Sequence, residues 1–205
     1  MITDELLKKH RIVSEQVDAR ELRMLLLELE TLLKAGVHGN VVELGCYVGT
    51  TSLFIRRLLN AYQFSGEFHV YDSFSGLPPK TSKDMSEAGA QFVTGELLAS
   101  RKTLIEHFKK AGLQLPIIHK CWFNELQESD IPKEVFFAFF DGDYYESIRD
   151  SFRVVAPHLA GRAVIVVDDY ISDALPGAAR ATNEWAESRD AKVQGQSSLG
   201  IIRLS

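Results

Sequence analysis

Acidic residues close a series of apolar runs in this chain: Glu43 in VVELG, Asp72 in FHVYD, Asp141 in FFAFFDGD and the Asp168–Asp169 pair in AVIVVDDY. Runs of that length and composition read as buried strands, which puts the acids at or near strand ends. In open α/β sheets ligands bind at the carboxyl ends of the strands. Carboxylates are costly to gather on such a rim unless cations or hydrogen-bond donors meet them. The competing role is capping of the helix that follows. For Asp143 that role is the expectation, because Asp143 with Glu146 three residues on spells a capping box. No helix start follows Asp72 or Asp168 directly, and Asp141 precedes the cap, so these are read as site acids.

The first run continues into ELGCYVGTTS. Gly45 and Gly49 allow a tight turn and a close backbone approach, and a helix beginning near Thr50 aims its N-terminus at the same place. The GxxxG spacing lacks the third glycine of a dinucleotide fingerprint and the Gly-Lys-Ser/Thr of a phosphate-binding loop. Asp72, 23 residues after Gly49, fits the acid that ends a second strand and accepts hydrogen bonds from a ribose diol. Together the two features point to a nucleoside-containing cofactor. The six histidines form no HxH or HExxH, and Cys46 and Cys121 belong to no CxxC or Cys/His cluster. The cysteines read as reduced thiols of a cytoplasmic protein.

Strands are expected at residues 40–44, 67–71, 115–119, 135–140 and 163–167, alternating with helices at 50–61, 100–111, near Asn124, at 144–158 and after Pro176. That alternation implies a doubly wound, mostly parallel sheet covered on both faces. Residues 192–194 and 199–204 read as an antiparallel pair at its edge. The first 36 residues read as a helical segment, with Leu22, Leu25, Leu26, Leu29, Leu32 and Leu33 on one stripe. The stripe serves packing on the domain, or else an oligomer contact or a flap. Residues 75–95 lack periodicity and are read as a lid loop. All 205 residues are expected to form one domain, with 45% apolar content for its core. A net charge of −5 argues against general nucleic-acid affinity, and no apolar run is long enough to span a bilayer.

The ELGCYVGTTS motif resembles the glycine motif of S-adenosylmethionine-dependent O-methyltransferases of the catechol type. The series YDSFSGLPP, GELLAS, KCWFNEL, DGDYYES, VDDY and LPGAAR resembles the macrocin O-methyltransferase family, which methylates sugar hydroxyls. The resemblance implies that Glu43, Gly45, Tyr47, Gly49 and Thr51 line the methionine end of S-adenosylmethionine. It implies that Asp72 holds the ribose, that Ser73 and Phe74 border the adenine, and that Trp122 flanks it. Asp141, Asp168 and Asp169 match the family's metal ligands. Two positions depart from the catechol enzymes. The last ligand is Asp169 rather than Asn, and the stretch that carries their lysine base reads Gly142–Asp143–Tyr144.

A sugar or catechol-like hydroxyl is too weakly acidic to attack a sulfonium methyl efficiently at neutral pH. A divalent cation, Mg²⁺ or alternatively Ca²⁺ or Mn²⁺, would lower its pKa and fix it in line. Asp141, beside both cofactor and metal, is the expected proton acceptor. Two other readings suit the same acids: a metal-independent methyltransferase and a non-catalytic nucleotide- or NAD-binding module.

Overall fold

The apolar runs pair into one mixed sheet. In a computed structural model describing residues 1–205, its strands are β1 (Asn40–Leu44), β2 (Phe68–Asp72), β3 (Ile117–Lys120), β4 (Val135–Phe140), β5 (Leu159–Val167), β6 (Val193–Gln196) and β7 (Leu199–Leu204). Their order is β3–β2–β1–β4–β5–β7–β6, and all neighbours are parallel except those of β7. The chain winds outward from β1 to β3 on one side and from β4 to β5 on the other. The switch point therefore lies between β1 and β4, where a ligand crevice is expected. In register, Leu44 pairs with Tyr71 and Phe140, and Phe140 pairs with Val167. Gly45, Asp72, Asp141 and Asp168 are thus the next residues along one rim.

Helices α2 (Ala19–Lys34), α3 (Thr50–Ala61) and α4 (Arg101–Lys110) cover one face, and α5 (Tyr145–Val155) and α6 (Pro176–Glu187) the other. The central strand β4, VFFAFF, is buried along its whole length because both faces are covered. Leu22, Leu25, Leu26, Leu29 and Leu32 of α2 lie in the main core, so the N-terminal stripe packs on its own sheet. No helix is long and apolar enough to cross a membrane.

Two expectations change. The N-terminal segment is two helices, α1 (Ile2–Lys9) and α2, because Asp18 caps α2 through the Arg20 and Glu21 amides. The buried Glu30 carboxylate receives the first amides of α1, Ile2 and Thr3, both at 3.1 Å. Strand β5 begins at Leu159, four residues early, where a register shift between Val135 and Phe137 admits the extra residues. The C-terminal pair forms the antiparallel edge of the sheet as expected, with β7 against β5 and β6 outermost.

At the outer side of β2, His69 Nδ1 and His119 Nε2 are 3.0 Å apart, and the His119 ring stacks on Tyr71 at 4.3 Å. Burial, then the neighbouring His69, holds His119 below the usual histidine range. The unfolded chain then binds more protons than the folded one, so stability is lost as pH falls through the unfolded value of 6.5. His119→Phe keeps the stacked ring and removes the titration. Wild type should lose more stability than this variant between about pH 7 and about pH 5, measured by urea unfolding. Equal losses would show that the ring does not titrate there.

Candidate active site

A cavity of about 250 Å³ opens at the carboxyl ends of β1, β2, β4 and β5, at the switch point. Its floor is the loop after β1. There Gly45 and Gly49 hold φ of +91° and +84°, and Tyr47 also lies in the left-handed region at +49°. A methyl group on Gly45 would overlap the carbonyl oxygen of Asp141, so glycine is required for β1 and β4 to bring their ends together.

Asp72 organises this loop. Its Oδ2 accepts the Cys46 and Tyr47 amides at 2.9 and 3.1 Å, and Oδ1 accepts the Phe74 amide at 2.7 Å. A carboxylate oxygen has two acceptor sites, so Oδ1 retains one for a ligand hydroxyl. The cavity wall includes Gly45, Tyr47, Thr51, Asp72, Ser73, Trp122, Asp141, Asp168 and Asp169.

Three residues expected at the cofactor do not line this cavity. Glu43 is wholly buried beneath the loop, where Oε2 accepts the Ser52 hydroxyl at 2.6 Å and Oε1 has no partner. Burial pushes its carboxyl up to about 8 against that hydrogen bond, so at neutral pH it carries a proton and supports the loop from below. Gly49 begins α3, and a Cβ there would strike Leu104 of α4. Phe74 turns into the main hydrophobic core. Glu43 and Phe74 follow from side-chain direction and Gly49 from the close packing of α4, none of which spacing alone encodes.

Four carboxylates converge at the other end of the cavity. Oxygens of Asp141, Asp143 and Asp169 lie within 4.8 Å of one another. Asp168 stands beside them, its Oδ1 taken by the Asp169 amide at 3.0 Å and the Ser198 hydroxyl at 3.3 Å. Asp143 is the correction. It does not cap α5; it holds φ +60° and faces the cavity, while the cap position falls to Tyr144 with no side-chain bond. Burial first, and neighbouring carboxylates next, raise Asp141 well above the usual range, Asp143 to about 7 and Asp169 to about 8. Burial raises Asp168 to about 6, opposed by the Asp169 amide.

The wall contains no Lys, Arg or His, so nothing in the chain neutralises this group. Hard oxygen donors at mutual distances one ion can bridge, without a protein counter-charge, fit a divalent cation. Sequence reasoning also missed the N-terminal part of the wall: Ser14, Gln16, Val17 and Glu21. Asp18 with Glu21 three residues later was a readable capping signal for the start of α2, though nothing in it places that start beside the rim.

Residues 12–195 match the family model described as macrocin O-methyltransferase (TylF). The chain is 28% identical over 152 residues to 8-demethyl-8-(2,3-dimethoxy-alpha-L-rhamnosyl)-tetracenomycin-C 4'-O-methyltransferase of Streptomyces olivaceus, covering 71% of this chain and 58% of that protein. It is 26% identical over 167 residues to mycinamicin III 3''-O-methyltransferase of Micromonospora griseorubida, covering 78% and 65%. The chain thus spans less than two thirds of the length of these relatives. Among solved structures, the O-methyltransferase NovP superposes with a TM-score of 0.79 at 20% identity, covering 92% of this chain and 81% of that one. The calicheamicin methyltransferase CalS11 gives 0.73 at 17%, covering 98% and 90%. The fold is therefore that of a Rossmann-like class I methyltransferase.

Proposed function

Because the chain belongs to the macrocin O-methyltransferase family, we propose that it transfers a methyl group from S-adenosylmethionine to a hydroxyl of a sugar-bearing small molecule. The observation that carries this reading is one cavity holding a glycine loop organised by Asp72 at one end and four convergent aspartates at the other. The sugar-methylating names of both relatives support the acceptor class.

The glycine loop and Tyr47 would border the methionine portion, and the free acceptor site on Asp72 Oδ1 would take a ribose hydroxyl. Ser73 and Trp122, which line the same wall, would border the adenine. An acid-lined cavity complements the positive sulfonium, and exclusion of water by the surrounding wall strengthens that attraction.

Asp141 and Asp169, whose oxygens lie within 4.8 Å of each other, would hold the divalent ion together with Asp168, which follows directly on the paired end of β5. Bound there, the ion would supply a lowered hydroxyl pKa at the acceptor. Asp143, whose oxygen also lies within 4.8 Å of those of Asp141 and Asp169, would stand beside the ion and take the acceptor proton. Asp141, expected from sequence both to bind the ion and to accept that proton, would keep the first of these roles.

The experiment is methyl transfer from methyl-labelled S-adenosylmethionine to a panel of simple rhamnosides and other glycosides, read by mass. Labelled O-methyl product with Mg²⁺ and none with EDTA is the expected result. Product formed equally in EDTA by metal-free protein would remove the metal from the mechanism. Failure of every hydroxyl acceptor, with label appearing on a nitrogen or thiol nucleophile, would overturn the reaction class.

A further inference from the structure

The first amides of α5 need an acceptor that the helix cannot provide. Asp143 is the side chain whose position in sequence suits that task, by a local turn to the Tyr145 amide or as a cap paired with Glu146. It is turned into the cavity instead. The acceptor comes from 61 residues upstream, where Asp84 Oδ1 receives the Tyr145 amide at 2.6 Å. Asp84 is 1% exposed, and its Oδ2 receives the amide and hydroxyl of Thr81 at 2.9 and 2.7 Å. Gly177, in the first turn of α6, closes the same spot. A methyl group there would overlap Asp84 Oδ1 and come within 2.6 Å of the Tyr145 nitrogen. Three stretches of chain thus meet on one buried carboxylate.

We infer that Asp84 is a positioning residue: it tethers the segment 75–97 to the start of α5 and, by taking the capping bond, leaves Asp143 in the cavity. The segment supplies Gly76, Leu77, Pro78, Phe92 and Leu97 to the cavity wall. Its other ties reach the same two helices and the loop between them. The Tyr144 hydroxyl donates to the Phe92 carbonyl at 3.1 Å, Arg180 to the Lys83 carbonyl at 3.0 Å, and Ser86 to the Asp173 carbonyl at 2.5 Å. None of these involves an α5 amide. Among these ties Asp84 is the one that occupies the helix-capping bond, and so links opening of this wall to the place of an acid in the cluster. The catalytic weight of Asp143 rests on the function proposed above, whereas the tether does not.

Two variants test it in the resting protein, without cofactor or metal. Asp84→Ala removes the acceptor. Gly177→Ala pushes it aside while adding a better helix former, so any loss is not one of helix propensity. In both, amide exchange at 75–97 and in the first turn of α5 should quicken together, by about tenfold or more, with β4 and β5 unchanged. A crystal structure of either variant should show the Asp143 carboxylate swung out of the cavity onto the Tyr145 or Glu146 amide. If Asp84→Ala fails to fold, Gly177→Ala and the milder Asp84→Asn still give both readouts. Asp143 unmoved, or faster exchange confined to 75–97 with α5 as slow as in wild type, would overturn the tether. Binding of S-adenosylhomocysteine to the wild-type protein judges the proposed function separately.

Discussion

Asp169→Asn should be more heat-stable than wild type in the absence of divalent metal, and yet at least about 100-fold slower in methyl transfer with Mg²⁺ present. Asp169 has φ +54°, a conformation Asn adopts readily, so backbone and shape are kept and one charge is removed. In the metal-free protein burial and the neighbouring carboxylates raise Asp169 from 3.8 to about 8. The folded state then holds a proton that the unfolded chain releases. Stability therefore falls as pH rises from about 4 toward about 8 and levels off above that. The variant loses this slope together with one member of the repulsive group. Mg²⁺ reverses the situation by turning repelling carboxylates into ligands, so wild type should gain more in melting temperature from Mg²⁺ than the variant does. Calorimetric melting with EDTA and with Mg²⁺, beside an activity assay, checks all of it. Equal stabilisation of both proteins by Mg²⁺, or full activity of the variant, would remove Asp169 from the metal site.

Gly45→Ala should destabilise the fold by about 3 kcal/mol or more and abolish detectable S-adenosylhomocysteine binding. The position has φ +91°, which an L-residue adopts only with strain, and the new methyl would overlap the Asp141 carbonyl oxygen. Relief requires the ends of β1 and β4 to part. That displaces the loop held by Asp72 on one side and the acid cluster on the other. The effect reaches both halves of the site from a residue without a side chain. Urea unfolding and a binding titration on the folded variant measure it. Wild-type affinity would show that the close approach is not what shapes the cavity.

The alternation of strands and helices was legible because burial on both faces writes continuous apolar runs, as in VFFAFF, and helices write their stripes, as in α2. The acid rim was legible for the same reason: parallel strands in register put the next residue of each on one edge. What escaped is set by tertiary partners. Asp143 has a local capping signal, but Asp84 supplies the bond from a segment with no periodicity of its own. Gly49 and Phe74 sit in a motif associated with cofactor binding, yet they face Leu104 and the core, a matter of loop twist rather than spacing. Strand β5 starts early because a register shift lets half-exposed residues join, and no apolar pattern marks them.

The most direct measurement is a calorimetric titration of S-adenosylhomocysteine, and separately of NAD, into metal-free protein with and without Mg²⁺, repeated on Asp72→Ala. One ribose hydroxyl donating to the free site on Asp72 Oδ1 is worth roughly 1.5–3 kcal/mol at most. Asp72 also holds three loop amides, so the variant should bind at least about tenfold more weakly. The account predicts one S-adenosylhomocysteine per chain, nearly the same affinity with and without Mg²⁺, the loss in Asp72→Ala, and no heat with NAD. Binding of NAD in place of S-adenosylhomocysteine, or of neither, would contradict it.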